Sequence, residues 1–218
     1  MNPLRFYVSV PVAGFRAAYA REFWETYPCP PPSTVYGMLL SLVGEPERSV
    51  HQGAEIALAL VSEPVRSVVL RTLWRVKSSK EGPGLGNNRR PDFQELLTDV
   101  RLSVWVREGA AETAEPTLAQ RLGCAVRSPA SVSRFGGLAL GESTHLVNDV
   151  RPWRSEDPTE RSLLVQDNQG DLSLPIWPDH VGSKGTRWGQ FRLAEKTLLD
   201  GSLPEEAWVA ICPPEMPC

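Results

Sequence analysis

Three histidines, His51, His145 and His180, are the side chains of this 218-residue sequence best suited to general acid–base work near neutral pH, and none stands in a recognisable catalytic motif. His145, within GESTHLVND, has Ser143, Thr144 and Asp149 nearby to polarise it. It also falls in a strand-like fragment, residues 144–147, where a hydrogen-bonded core histidine is the simpler reading. The carboxylate pairs Glu156–Asp157 and Glu205–Glu206 lie in polar, proline-flanked stretches and read as solvated caps or turns. Cys29, Cys124, Cys212 and Cys218 are scattered, with no CxxC pair and no histidine at ligand spacing. They are expected to be reduced thiols, and neither a metal nor a cofactor is expected.

The cations carry a stronger signal. Net charge is −3, but residues 66–107 hold nine basic against four acidic side chains, so this segment stands at +5 and the remainder at −8. A chain so polarised can hold a phosphate backbone on one side and stay soluble through the other. By strand alternation, Arg71, Arg75 and Lys77 share one face. Residues 77–92, KSSKEGPGLGNNRRPD, follow with Lys80, Asn87, Asn88, Arg89 and Arg90 among turn-forming glycines. No GK[ST] follows those glycines, so this is not a nucleotide P-loop, although its amides can form an anion-binding nest. Further on, GSKGTRWGQF sets Lys184, Arg187 and Trp188 among three glycines, a pattern that brings a backbone close to a ligand while an aromatic ring stacks on a base.

The elements that must position these groups follow from periodicity. Residues 4–12 alternate as a strand, and the prolines of 28–32 hold the chain extended into a helix with Val35, Met38, Leu39, Leu42 and Val43 on one face. Ser33 or Thr34 is expected to cap that helix and Gly44 to end it. Gly37 inside it predicts a second backbone packed tightly there. Residues 55–62 and 65–76 read as a hairpin turned at Glu63–Pro64 and packed on the helix. Residues 77–92 then protrude, with Leu85 as almost their sole apolar anchor, before a short apolar patch at 93–97 and a strand at 100–106. A helix is expected over 115–122, ended by Gly123. Beyond Pro152 the periodicity fades, and 151–218 reads as a proline-punctuated, β-rich extension wrapped on the main domain. The densest apolar run, residues 54–61, is far shorter than a membrane span, and no signal-like segment opens the chain. A cytoplasmic protein without membrane contact is expected.

The proline run with STVYGMLLSLVGE, the basic glycine loop, RRPDFQELL and FGGLALGESTHLVNDV together resemble the RAMP-superfamily subunit that caps the 5′ handle of the guide RNA in type I CRISPR Cascade, the Cas family numbered five. The resemblance spans about residues 4–150. It implies an α+β fold: a ferredoxin-like, RRM-like βαββαβ core over 1–150, an inserted β-hairpin thumb at about 77–92, and an irregular β-rich extension over 151–218. It implies as partners the crRNA 5′ handle, the Cascade backbone subunit, the large subunit and, in the assembled complex, target DNA. The residues expected to meet RNA are Arg16, Arg21, Arg71, Arg75, Lys77, Lys80, Asn87, Asn88, Arg89, Arg90, Lys184, Arg187 and Trp188.

One branch of that family cuts the precursor guide with a Tyr, a Lys and a His. Tyr36 matches the tyrosine position, but no Lys–His pair follows the second half of the core. A non-catalytic RNA-binding subunit is therefore expected. A metal-independent endoribonuclease is the alternative, and an unrelated ferredoxin-like binding domain a more distant one.

Overall fold

In the computed structural model, residues 3–158, 160–181, 184–195, 197–198 and 203–217 are described. β1 (Leu4–Ala13) buries Phe6, Val8 and Val10 on one face and leaves Arg5, Tyr7 and Ser9 half-buried on the other, the period-two pattern of a strand packed more tightly on one side. After the short β2 (Phe23–Trp24), the prolines lead into α1 (Pro32–Leu42), whose first residue has no N–H to leave unpaired. The expected cap is corrected: the Ser33 hydroxyl donates to the Pro175 carbonyl at 2.8 Å, and the Thr34 amide is satisfied by the Pro31 carbonyl at 2.9 Å. Gly44 does follow the helix end, at a φ of 68° that favours glycine.

β3 (Glu55–Leu60) and β4 (Val65–Trp74) are strands, but they do not form the expected hairpin with each other. Both pair with β5 (Arg89–Arg107), a single 19-residue strand where the sequence suggested a patch and a separate strand. Along one edge of β5 lie β3, opposite 102–107, and then β4, opposite 89–98. Along the other lie β1 and then the parallel β2. Asp99, at a φ of 59°, falls between the β3 and β4 pairings and opposite Pro11, which has no N–H to give the ladder. The Ser62 hydroxyl closes the gap, donating to the Asp99 carbonyl at 2.6 Å and accepting the Arg101 amide at 3.0 Å.

α2 (Leu118–Arg127) starts at a reciprocal capping box between Thr117 and Gln120 and runs through Gly123, where the sequence predicted its end. There follow β6 (Asp149–Pro152), β7 (Glu160–Gln166), β8 (Leu172–Trp177), β9 (Arg187–Leu193), β10 (Thr197–Leu198) and β11 (Val209–Ala210). The main sheet runs β6-β1-β5-β3-β7-β9-β8, with every pair on that path antiparallel. β7 and β11, from the C-terminal part of the chain, both pair with β3 and so add to the sheet. The result is a mixed α/β fold with a mostly antiparallel sheet and few helices. Its main core lies between α1, α2 and the inner sheet face, where Leu39, Leu122, Val8, Ile56, Leu102 and Val104 are fully buried. A smaller cluster of Ala57, Ala59, Trp105, Leu163, Val165 and Trp208 seals the other face.

Gly37 contradicts its expectation. A methyl group there would meet nothing within 4 Å, so no backbone packs against it. Helix propensity is then the main term left, and Gly37→Ala should stabilise the chain by about 1 kcal/mol. A chemical-denaturation midpoint that rises at unchanged slope would bear this out, and a midpoint that falls would contradict it.

Candidate nucleic-acid interface

Beyond Asp99 the sheet narrows to an arm, β4 antiparallel to the first ten residues of β5, joined by a tip at 75–88. Residues 77–88 thus lie between two paired strands as expected, while 89–92 already belong to β5. The tip is anchored by a polar group, because Leu85 is exposed and Asn88 is buried. The Asn88 Oδ1 accepts the Lys77 and Ser78 amides at 2.7 and 2.8 Å, and its Nδ2 donates to the Ser78 and Glu81 carbonyls at 2.8 and 2.7 Å. Its amide is spent on the shape of the tip. Asn87 is also engaged: its backbone N–H and its side chain donate to the Glu81 carboxylate at 2.5 and 3.2 Å. Of the loop amides expected to form an anion-binding nest, that of Asn87 is taken by Glu81, while those of Leu85 and Asn88 go to the Gly82 and Leu85 carbonyls.

Ion pairing sorts the nine cations of residues 66–107. Arg66 pairs with Glu95, Arg71 with Glu142, Arg90 with Asp92 and Glu22, Arg101 with Asp99, and Arg107 with Glu55 and Glu205. The other four, Arg75, Lys77, Lys80 and Arg89, have no carboxylate partner among the described residues, and all sit on the tip or at its base. Arg75 reaches only the Asn87 carbonyl, at 3.1 Å. Arg89 stands opposite Trp74 and Arg90 opposite Leu73, so the two adjacent arginines face opposite sides of the arm. Arg21 and Lys184, both exposed, likewise show no ion pair among the described residues.

Midway along the arm, Arg16 and Arg71 meet residues that the sequence reading missed. Trp24 lies 4.3 Å from the Arg16 guanidinium and 5.6 Å from that of Arg71. Arg71 also donates to Gln94 and to Glu142, and Gln94 donates to Glu142 at 2.6 Å. Trp24 lies in a two-residue strand too short to show periodicity in the sequence, and Glu142 is 71 residues from Arg71, so no local pattern exposes this group. Behind it, the His145 Nδ1 accepts the Gly14 and Glu142 amides at 3.2 and 3.1 Å, which makes it a structural histidine. Ser143, Thr144 and Asp149 are not its hydrogen-bond partners.

β9 splits the last predicted group. Trp188 is 43% exposed and lines a cavity, whereas the Arg187 guanidinium turns to the Pro213 and Met216 carbonyls at 3.4 and 3.1 Å. Of the segment that carries them, residues 182 and 183 lie outside the described residues. Tyr36 is buried, donates to the Arg48 carbonyl at 2.7 Å, and has its pKa raised by burial and the nearby Glu112. Burial pushes the Cys29 thiol up to about 12, and Cys29 and Cys124 are free. Cys212, expected as a reduced thiol, is disulfide-bonded. Among the described residues no cluster of His, Cys, Asp and Glu is placed to hold a metal, and no helix is long and apolar enough to cross a membrane.

Comparison with known proteins adds a sequence relative and a fold. A protein from Myxococcus xanthus (strain DK1622) described as "CRISPR-associated protein Cas5" is 45% identical over 189 residues, covering 86% of this chain and 88% of that one. No protein-family model matches. A chain of a solved "CRISPR RNA-guided surveillance complex" superposes with a TM-score of 0.59 at 13% identity, over 94% of this chain and 96% of its own. A solved "Cas protein" gives 0.53 at 13% identity, over 90% and 94%. At such identities these two likenesses concern the fold.

His145 generates a pH prediction. Burial, ahead of the opposing pull of Glu142 and the added push of Arg71, holds its pKa below the ordinary 6.5. The unfolded chain therefore takes up this proton first. The histidine's contribution is complete above about pH 6.5 and declines as pH falls below it, until the folded protein is protonated too. Urea midpoints should drop between about pH 7.5 and 5.5. His145→Asn, which keeps an acceptor for the two amides, should flatten that drop, and an unchanged pH dependence would contradict the assignment.

Proposed function

Because the chain belongs to the Cas5 family of CRISPR-associated proteins, we propose that it is a non-catalytic, cytoplasmic subunit of a type I Cascade effector, one that grips the 5′ handle of the crRNA with its arm. The observation that carries this reading is the gathering of Arg75, Lys77, Lys80 and Arg89 at the tip, unpaired among the described residues, while the other five cations of the segment are neutralised. Unpaired cations on a projecting element can exchange their counterions for phosphates without breaking an internal ion pair. Arg21, Lys184 and Trp188, all exposed, are assigned further contacts with the same RNA. Arg16, Arg71 and Arg90 brace the arm through Trp24, Glu142, Asp92 and Glu22, Asn87 and Asn88 shape its tip, and Arg187 fixes the C-terminal segment.

The sheet order β6-β1-β5-β3, with α1 after β1 and α2 after β5, supports a ferredoxin-like βαββαβ core over residues 1–150, with the arm as its inserted thumb and 151–218 as its extension. The face of the arm that carries Arg89 also supports protein partners. Val68, Leu70, Trp74 and Phe93 lie exposed on it beside Phe23, an apolar strip suited to the backbone subunit that holds the same guide. In the assembled complex the chain links that backbone to the large subunit, and through it to target DNA. The non-catalytic reading draws support from Tyr36, whose hydroxyl is buried and committed, and from His145, whose Nδ1 is held by two amides.

Charge reversal tests this. A variant carrying Lys77→Glu, Lys80→Glu and Arg89→Glu should lose copurifying guide RNA, while Arg101→Glu, a paired cation beyond the arm, should retain it. In filter binding, each lost phosphate contact should lower the slope of log affinity against log salt by about 0.7. Undiminished guide occupancy in the triple variant would overturn the assignment. Repeat-containing RNA incubated with the protein without metal should stay intact. Cleavage that vanishes in His145→Ala would establish the endoribonuclease instead.

A further inference from the structure

A cavity of about 610 Å³ opens between the segment after β1 and the start of β8, lined by Tyr19, Glu25, Arg66, Asp171, Ser173 and Trp188 among others. Two of its walls are aromatic rings open to solvent, Tyr19 at 69% and Trp188 at 43% exposure. Glu25 and Asp171 have no ion pair or side-chain hydrogen bond among the described residues, whereas Glu95, Glu142 and Asp92 along the arm are each paired with an arginine. Arg66, the cation of the lining, is held by Glu95 at 3.1 Å.

This combination selects its ligand. Two unpaired carboxylates repel a phosphate, and ionised carboxylates accept hydrogen bonds without donating any. Exposed aromatic faces favour a flat π-system. We propose that the cavity receives one unstacked nucleobase of the bound RNA, held between the rings and read through its N–H groups by Glu25 and Asp171, while its phosphates stay outside. The inference rests on the reading of the chain as an RNA-holding subunit. Guanine offers its ring N–H and amino group side by side to one carboxylate, and cytosine and adenine each offer an amino group. Uracil offers one ring N–H flanked by two carbonyls that the carboxylates repel. The site therefore ranks guanine first and uracil last.

Fluorescence anisotropy with the full chain tests it, using labelled eight-nucleotide RNAs: all-uracil, and the same strand with one central guanine, cytosine or adenine. The guanine strand should bind about tenfold tighter than all-uracil. In Glu25→Gln/Asp171→Asn that difference should shrink to within about twofold without loss of all-uracil binding, and Trp188→Ala should weaken every strand several-fold. Equal binding of the four strands by the unaltered protein, or a guanine preference that survives the double variant, would overturn the pocket while leaving RNA binding intact. No binding of any strand would overturn the RNA-holding reading and this inference with it.

Discussion

Everything in this molecule hangs on β5. One strand of 19 residues carries β1 and β3 against its C-terminal half and β2 and β4 against its N-terminal half, so the core sheet and the arm share a continuous backbone. A strand in a ladder resists bending because each residue is fixed by neighbours on both sides. The chain relieves this at one place. Asp99 takes a left-handed conformation opposite Pro11, and the Ser62 hydroxyl satisfies backbone groups that the interrupted ladder leaves there. The arm can leave the core at a set angle without becoming a separate, loosely tethered domain.

Electrostatics divides the molecule along the same line. Near the core, cations meet carboxylates: Arg107 lies between Glu55 and Glu205, and Arg151 between Asp149 and Asp157. The same guanidinium groups lie over aromatic rings, Arg107 over Trp208 and Arg151 over Tyr7. At the tip the pattern reverses, with Glu81 turned inward to organise the backbone and four cations left outward. A net charge of −3 thus describes the protein poorly as an electrostatic object. Cations of the core sheet are held in ion pairs, whereas four at the arm's tip have no carboxylate partner among the described residues.

Much of this was legible in the sequence where structure is local. The strand character of β1, β3 and β4, the helix stop at Gly44 and the excursion between two strands could all be read from neighbouring residues. Partner choice could not. Pro91 and Asp99 made β5 look like two pieces, and Glu63–Pro64 looked like a hairpin turn because nothing local says that both flanking strands choose a third. Gly37 was misread for a related reason, since a glycine in a helix shows only that a side chain is absent, not what fills the space. The basic residues were recognised as a set, but which were free depended on carboxylates as distant as Glu142 and Glu205. The Trp24 cluster stayed invisible because its members share no segment.

The central claim is that the guide lies on the arm tip, and ultraviolet crosslinking of copurified RNA followed by peptide mass spectrometry tests it most directly. The account predicts that the dominant crosslinked peptides fall within residues 74–90. Crosslinks confined to α2 or to the face around Trp208, with the tip unmodified, would contradict it.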